Sequence, residues 1–287
     1  MQQILASLTQ SLSDFSPQMR RAAGRILDNP GAVAVNSMRA MAGAAEVSPP
    51  TMLRLAQRLG FESYETFRDV FKSSIAGTDY SARAADLNRS AHEDGVPGLL
   101  RDTVAASAGG LERLTNPAFA MEVERIAQMV ASAPITYIVA SGALFGHAVS
   151  FQYVLRMAMP GIVLAWAPGL DAVNCLAPLN ERDAVVAITM SPYARATIDA
   201  ADMAKCRGAA VAAITDSRSS PLARIADAAL TVTTQSPHYF PSTVGLTAAL
   251  EALSAAIAIH LGDAAVTALG AHEQGLRDSG YYWQAPR

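Results

Sequence analysis

From Pro134 onward, short apolar runs alternate with segments of helical length, and this rhythm restricts the fold more than any other feature of the chain. The runs span 135–140, 162–166, 184–189, 209–215 and 229–233. Helical patterns fall between them at 145–157, 171–177, 194–207 and 221–226, and two more, 244–261 and 264–277, close the chain. Runs that are apolar throughout, rather than alternating with polar residues, suit strands buried on both faces. Buried strands joined by helices make a parallel sheet covered on both sides. The expected fold class is α/β: an N-terminal all-α helix-turn-helix domain, then a parallel-sheet α/β/α sandwich of flavodoxin-like type.

Residues 1–77 read as all helix. Ser16-Pro17 opens one helix, with proline in the first turn where a missing N–H costs little, and Asn29-Pro30 stops it. Two short helices follow at 38–45 and 49–59, with Gly60 at a left-handed C-cap position. A further helix at 63–73 carries Tyr64, Phe67 and Phe71 on one face. The pair 38–45 and 49–59 has helix-turn-helix spacing. Ala42 is small where the helices touch, and Met38, Met41, Val47, Met52 and Leu55 are apolar where their crossing is set. Ser48 is expected as N-cap of the second helix and Pro49 in its first turn. Thr51, Arg54 and Arg58, at i, i+3 and i+7, are expected on its outer face. Arginine there can fork onto guanine O6 and N7 or pair with phosphate, and Thr51 can reach a base edge. Arg39, on the preceding helix, is placed for a DNA backbone contact. The position before Val47 requires a positive φ, where glycine is usual, yet it is Glu46, at a cost of about 1 kcal/mol. Pro49-Pro50 removes two amide donors from the start of the second helix.

At 287 residues with 51 % hydrophobic content, the chain has material for two domains with real cores. The net charge of −3 excludes a polybasic protein, so DNA binding has to come from where arginines point rather than from bulk charge. Two cysteines, Cys175 and Cys206, suit a reducing compartment without a disulfide framework. Asp14 and Arg20 interrupt any secretory signal pattern, and the apolar stretch 244–261 contains Glu251 and His260 and reads as a buried helix. No membrane association is expected, and the expected location is cytoplasmic. Its nearly all-round apolar character suits burial between subunits, with Glu251 and His260 as buried or interface residues. The five histidines show no metal-ligand spacing with the cysteines, so neither metal nor cofactor is expected. The domains are expected at 1–77 (DNA binding), 78–132 (linker and connecting helices) and 133–275 (ligand sensing and dimerisation), the polar stretch 78–92 being read as linker.

The segment Val47-Ser48-Pro49-Pro50-Thr51-Met52-Leu53-Arg54-Leu55-Ala56-Gln57-Arg58-Leu59-Gly60-Phe61, with Ser63-Tyr64-Glu65-Thr66-Phe67 after it, resembles the signature of the MurR/RpiR family of bacterial transcriptional regulators. The second half resembles that family's sugar-isomerase (SIS) domain, through Tyr137-Ile138-Val139-Ala140-Ser141-Gly142, Ala187-Ile188-Thr189-Met190-Ser191-Pro192-Tyr193, Ala213-Ile214-Thr215-Asp216-Ser217 and Ser220-Pro221-Leu222-Ala223. The resemblance implies a homodimeric or tetrameric regulator that binds double-stranded DNA through Arg39, Ser48, Pro50, Thr51, Arg54 and Arg58. It also implies a small-molecule effector, of sugar-phosphate type, bound in the SIS domain.

A parallel sheet binds ligands at the carboxyl ends of its strands, near a switch point. Two loops qualify, 140–143 and 189–194, where hydroxyls and helix N-terminal amides make a neutral anion cradle. By resemblance, Ser141, Gly142, Thr189, Ser191, Tyr193 and Thr197 line the pocket, with Ser236 from the far side. The family pattern carries hydroxyls where this chain has Leu144 and Ala194. With Phe145 and Met190, these are expected to make the mouth more apolar. No catalytic residue is expected. The alternatives are a sugar-phosphate isomerase with a helical appendage and a SIS domain used only for dimerisation.

Overall fold

The computed structural model describes residues 2–75 and 80–283, and the chain divides into two compact units, Met1–Asp79 and Tyr80–Arg287. The first unit is all helical: α1 (Gln2–Gln10), α2 (Pro17–Asp28), α3 (Pro30–Val35), α4 (Met38–Ala44), α5 (Pro49–Arg58) and α6 (Tyr64–Ile75). Short polar side chains start three of these helices. Ser16 accepts from Met19 N, Asn29 from Ala32 N and Ser37 from Ala40 N. Asn29-Pro30 stops α2 as expected, but it also starts α3, with Asn29 as cap and Pro30 at the first helical position. Phe67 is the centre of an aromatic cluster, its ring centroid 5.4 Å from Phe61, 5.7 Å from Tyr64 and 4.9 Å from Phe71. Leu8, Ile26, Met41, Met52 and Leu55 complete the core around it.

The second unit begins with α7 (Tyr80–Glu112), kinked at Gly95 (φ 61°), and α8 (Pro117–Ser132). Then come β1 (Thr136–Ala140), α9 (Phe145–Ala158), β2 (Ile162–Leu164), α10 (Ala172–Cys175), β3 (Ala184–Ile188) and α11 (Arg195–Cys206). The unit ends with β4 (Ala210–Thr215), α12 (Pro221–Ile225), β5 (Ala228–Thr231), α13 (Val244–Leu261) and α14 (Asp263–Asp278). All five strands are parallel, in the order β2-β1-β3-β4-β5. Successive strand residues face opposite layers. Ile138, Val186, Ile188, Ala212 and Ile214 pack against Ile126 and Val130 of α8, Phe151 and Leu155 of α9, and Leu246 and Leu253 of α13. Tyr137, Val139, Val185, Ala187, Val211 and Ala213 pack against Leu176, Ala200, Ala201, Ala204 and Leu222. The many alanines on that side let α11 lie close to the sheet.

The stretch 80–92, read as linker, is helical, and α8 is a core layer of the second unit rather than a connector. Residues 80–92 lack an apolar stripe but are rich in alanine and contain no glycine or proline, so nothing local opposes a helix, and Tyr80 stacked on Phe240 and Arg83 bonded to the Ser236 carbonyl anchor its start. Within α7, a Cβ on Gly110 would lie 2.5 Å from the Thr233 side chain, so only glycine allows that approach. By length and mean hydropathy (1.7), α13 could cross a membrane. Leu246, Ala249, Leu250, Leu253 and Ile257 are buried against the sheet layer, while Ile259 is 79 % exposed. Glu251 and His260 lie on the exposed side within the chain, and His260 Nε2 is 2.9 Å from Glu124 Oε1.

Asp227, just before β5, receives the Val211 N–H at 2.9 Å and pairs with Lys205. Burial raises its carboxyl pKa, but the Lys205 and Val211 hydrogen bonds and the charges of Lys205 and Arg125 outweigh burial and hold it below the usual range. A depressed folded pKa contributes stability above the unfolded value of about 3.9 and loses it as pH falls through the folded value. Asp227→Asn is therefore expected to lower Tm at pH 7. Its deficit relative to the parent should shrink as pH falls below about 4, in thermal melts across that range.

Candidate DNA-binding face and candidate ligand site

The α4–α5 pair makes a tight corner. Val47 N donates to Ala42 O at 3.0 Å and Glu46 N to Gly43 O at 3.1 Å, with Ala42 buried at the helix contact. Glu46 has φ 52° and is the one non-glycine residue with positive φ among those described. The strain expected from the sequence is present. Glu46→Gly is expected to raise the stability of the N-terminal unit by up to about 1 kcal/mol, partly offset by a freer unfolded chain. Chemical denaturation of residues 1–79 in the full chain would read it, and a destabilised variant would refute the strain argument.

Pro50, Arg54, Gln57 and Arg58 are exposed on α5, Ser48 is exposed just before it, and Arg39 is exposed on α4. Gln57 was missed in the sequence reading, although it lies three residues beyond Arg54 and its amide can fork onto adenine. Two expectations are corrected. Thr51 does not lie on the outer face: it is 1 % exposed, on the same side as Leu55 four residues on, and Gln18 of α2 covers its edge. Its Oγ1 donates to Gln18 Oε1 at 3.2 Å. Ser48 caps no backbone amide; its hydroxyl bonds Thr51 Oγ1 at 3.0 Å. Positions 51, 54 and 58 fall within about 60° of the helix circumference, and Thr51 is the one nearest buried Leu55. Gly60 does end α5 with φ 91°, Phe61 N returning to Ala56 O at 3.1 Å.

In the second unit the chain runs from β1 outward to β2, then back past β1 to β3 and on to β4 and β5, so the switch point lies between β1 and β3. Both candidate loops leave the carboxyl ends of these two strands. Ser141 Oγ and Thr197 Oγ1 are 3.0 Å apart, joining the loop after β1 to α11. Thr189, 2 % exposed, accepts from Ala194 N at 3.1 Å. Gly142 turns with φ 61° and is exposed. The helices beyond these loops have Leu144 and Ala194 at their N-cap positions, and neither makes a side-chain cap.

Asp216, at the end of β4, is a site residue that the sequence reading named only within a matching segment. It accepts from Ser191 N at 3.3 Å and from the Tyr193 hydroxyl. Burial, followed by the Asp216 charge and hydrogen bond, raises the Tyr193 pKa against the smaller effect of Arg224, so the phenol stays neutral. Ser191 Oγ is buried without a hydrogen-bond partner among the described residues. The structure thus brings together Ser141, Thr189, Ser191, Tyr193 and Thr197 with Asp216. Ser236 instead receives His238 N on its Oγ and Arg83 on its carbonyl. Met190 is 5 % exposed and belongs to the core, not the mouth, because alternation turns it inward from Thr189. Among the described residues no group of three His, Cys, Asp or Glu is arranged to hold a metal ion.

Residues 2–78 match the helix-turn-helix domain of the rpiR family, and residues 129–259 match the SIS domain. The chain is thus similar to rpiR-family proteins over its first part and to SIS-domain proteins over its second. An HTH-type transcriptional regulator of Caldanaerobacter subterraneus subsp. tengcongensis is 23 % identical over 236 residues, 82 % of each chain. The sugar isomerase domain of an RpiR transcription factor from Sphaerobacter thermophilus matches with TM-score 0.56 and 26 % identity, covering 61 % of this chain and 98 % of that one. The NanR protein of Vibrio vulnificus, solved with ManNAc-6P, has the same fold over 99 % of this chain and all of that one, with TM-score 0.59 and 19 % identity. An rpiR-type helix-turn-helix thus precedes a SIS domain, an α/β sandwich with a five-stranded parallel sheet.

Proposed function

We propose that this chain is a sequence-specific DNA-binding transcriptional regulator whose SIS domain senses a sugar phosphate or related carbohydrate derivative. The observation that carries this reading is an exposed Arg54–Gln57–Arg58 face on the second helix of an rpiR-type helix-turn-helix, in one chain with a hydroxyl-lined site at a sheet switch point. Arg54, Gln57 and Arg58 read base edges or phosphates from the major groove, and Arg39 holds the backbone. In a homodimer the two recognition helices enter successive grooves about 34 Å apart. The ligand-complexed state of the V. vulnificus NanR supports a sugar phosphate as effector. The SIS site binds rather than turns over its ligand, and the protein acts in the cytoplasm. Leu144 and Ala194 reduce the hydroxyl contacts to phosphate, at about 0.5–1.5 kcal/mol for each hydrogen bond not made.

The test begins with selection of a duplex from a random-sequence library by the purified protein. Titration with hexose 6-phosphates, N-acetylmannosamine 6-phosphate and their neutral parents follows, read by thermal shift and by release of the selected duplex. A ligand at about 100 times its dissociation constant stabilises by about 2.7 kcal/mol. The expected result is a shift with one phosphorylated sugar and a change in DNA affinity with the same compound. Conversion of that compound to an isomer at an enzymic rate would overturn the non-catalytic assignment.

A further inference from the structure

The N-terminus of α5 has an unusual shortage of donors. Pro49 and Pro50 have no N–H, and Thr51 N is bonded to Ser48 O at 2.9 Å. The first residues of a recognition helix normally supply amide N–H groups to DNA phosphates, and none of these three can do so. At the same end of α5, Gln18 of α2 is exposed, and its Oε1 is held at 3.2 Å by the buried hydroxyl of Thr51. Ser48 Oγ in turn bonds the Thr51 hydroxyl at 3.0 Å. Thr51 donates to Gln18, so Ser48 donates to Thr51, and the chain of bonds has one direction. With its carbonyl oxygen fixed, the Gln18 amide group is oriented and its Nε2 hydrogens are left for an outside acceptor. Arg21 and Arg25 are also exposed, three and seven residues along α2 on the same side, so the surface around Gln18 is positive.

We propose that Gln18 Nε2 donates to a DNA phosphate oxygen beside the N-terminus of α5, in place of the amides that Pro49-Pro50 lacks, and that Thr51 is a positioning residue acting through Gln18. The proposal rests on the DNA-binding reading above. A neutral donor adds a phosphate bond without releasing an additional counterion, so its loss weakens binding without altering the salt slope. A phosphate contact has no base preference, so the loss is uniform across sequences.

The experiment uses the full chain and the duplex selected from the random library, with single-base variants of that duplex, at several salt concentrations. Gln18→Ala is expected to weaken binding about fivefold, equally on every duplex and with an unchanged slope of log K against log salt. Arg54→Ala in parallel should relax the preference at one base pair or reduce the slope. Thr51→Val should reproduce the Gln18→Ala loss and Thr51→Ser should restore binding. The double variant should be no weaker than either single one, because the two residues form one unit. Matched thermal melts separate this coupling from a general effect on the fold. Wild-type affinity for Gln18→Ala would overturn the phosphate contact, as would a loss confined to one base pair. Additive losses in the double variant would overturn the positioning role. A wild-type protein that selects no duplex would instead defeat the DNA-binding reading itself.

Discussion

Replacing Arg54 and Arg58 together by alanine is expected to lower affinity for the selected duplex by roughly 10²–10³-fold, with Tm unchanged. Both side chains are exposed on α5, four residues apart on one face, and neither is needed to hold the helix. Each is worth about 1–3 kcal/mol if it forks onto a guanine or a phosphate, and the two act at adjacent positions. Titration of the duplex against the single and double variants at fixed salt gives the size of each effect. A salt series then sorts the roles. A phosphate-bound arginine reduces the slope by about one when removed, whereas a base-bound one relaxes the preference at its base pair. A double variant that binds the selected duplex like the parent would place the interface elsewhere on the N-terminal unit.

The second large effect is on folding. Phe67 is 1 % exposed and touches Phe61, Tyr64 and Phe71 through its ring. Phe67→Ala should cost about 3–5 kcal/mol. A unit of this size has little more than that in reserve, since whole domains have about 5–15 kcal/mol. The N-terminal unit is therefore expected to be largely unfolded while the second unit, with its own core, keeps its melting transition. Limited proteolysis should degrade the N-terminal unit and leave a stable fragment beginning near Tyr80. Loss of both units together would show that they fold as one.

The fold was legible because it rests on periodicity. Runs such as 184–189 are buried on both faces and read as such, and β3 is fully buried along its length. The positive φ at Glu46 was legible too, because the geometry of the turn demands it whatever residue is present. The side chains were harder to assign wherever tertiary neighbours decide their roles. Nothing local distinguishes Thr51 from an exposed residue until Gln18, thirty-three residues earlier, covers it. Asp216 becomes a site residue only through Ser191 and Tyr193 on another strand's loop. The stretch 80–92 was read as linker because no apolar stripe marks it, yet it is helical, and its anchors, Phe240 stacked on Tyr80 and the Ser236 carbonyl on Arg83, lie far away in sequence.

The two separate cores have a consequence for how such a protein can change over generations. Phe67 and its neighbours close one core entirely within Met1–Asp79, and the sheet layers close the others within Tyr80–Arg287. A recombination event near the boundary at Asp79 and Tyr80 would cut through neither. The address a regulator reads and the signal it answers can then be exchanged as whole cassettes, each arriving with its folding information intact.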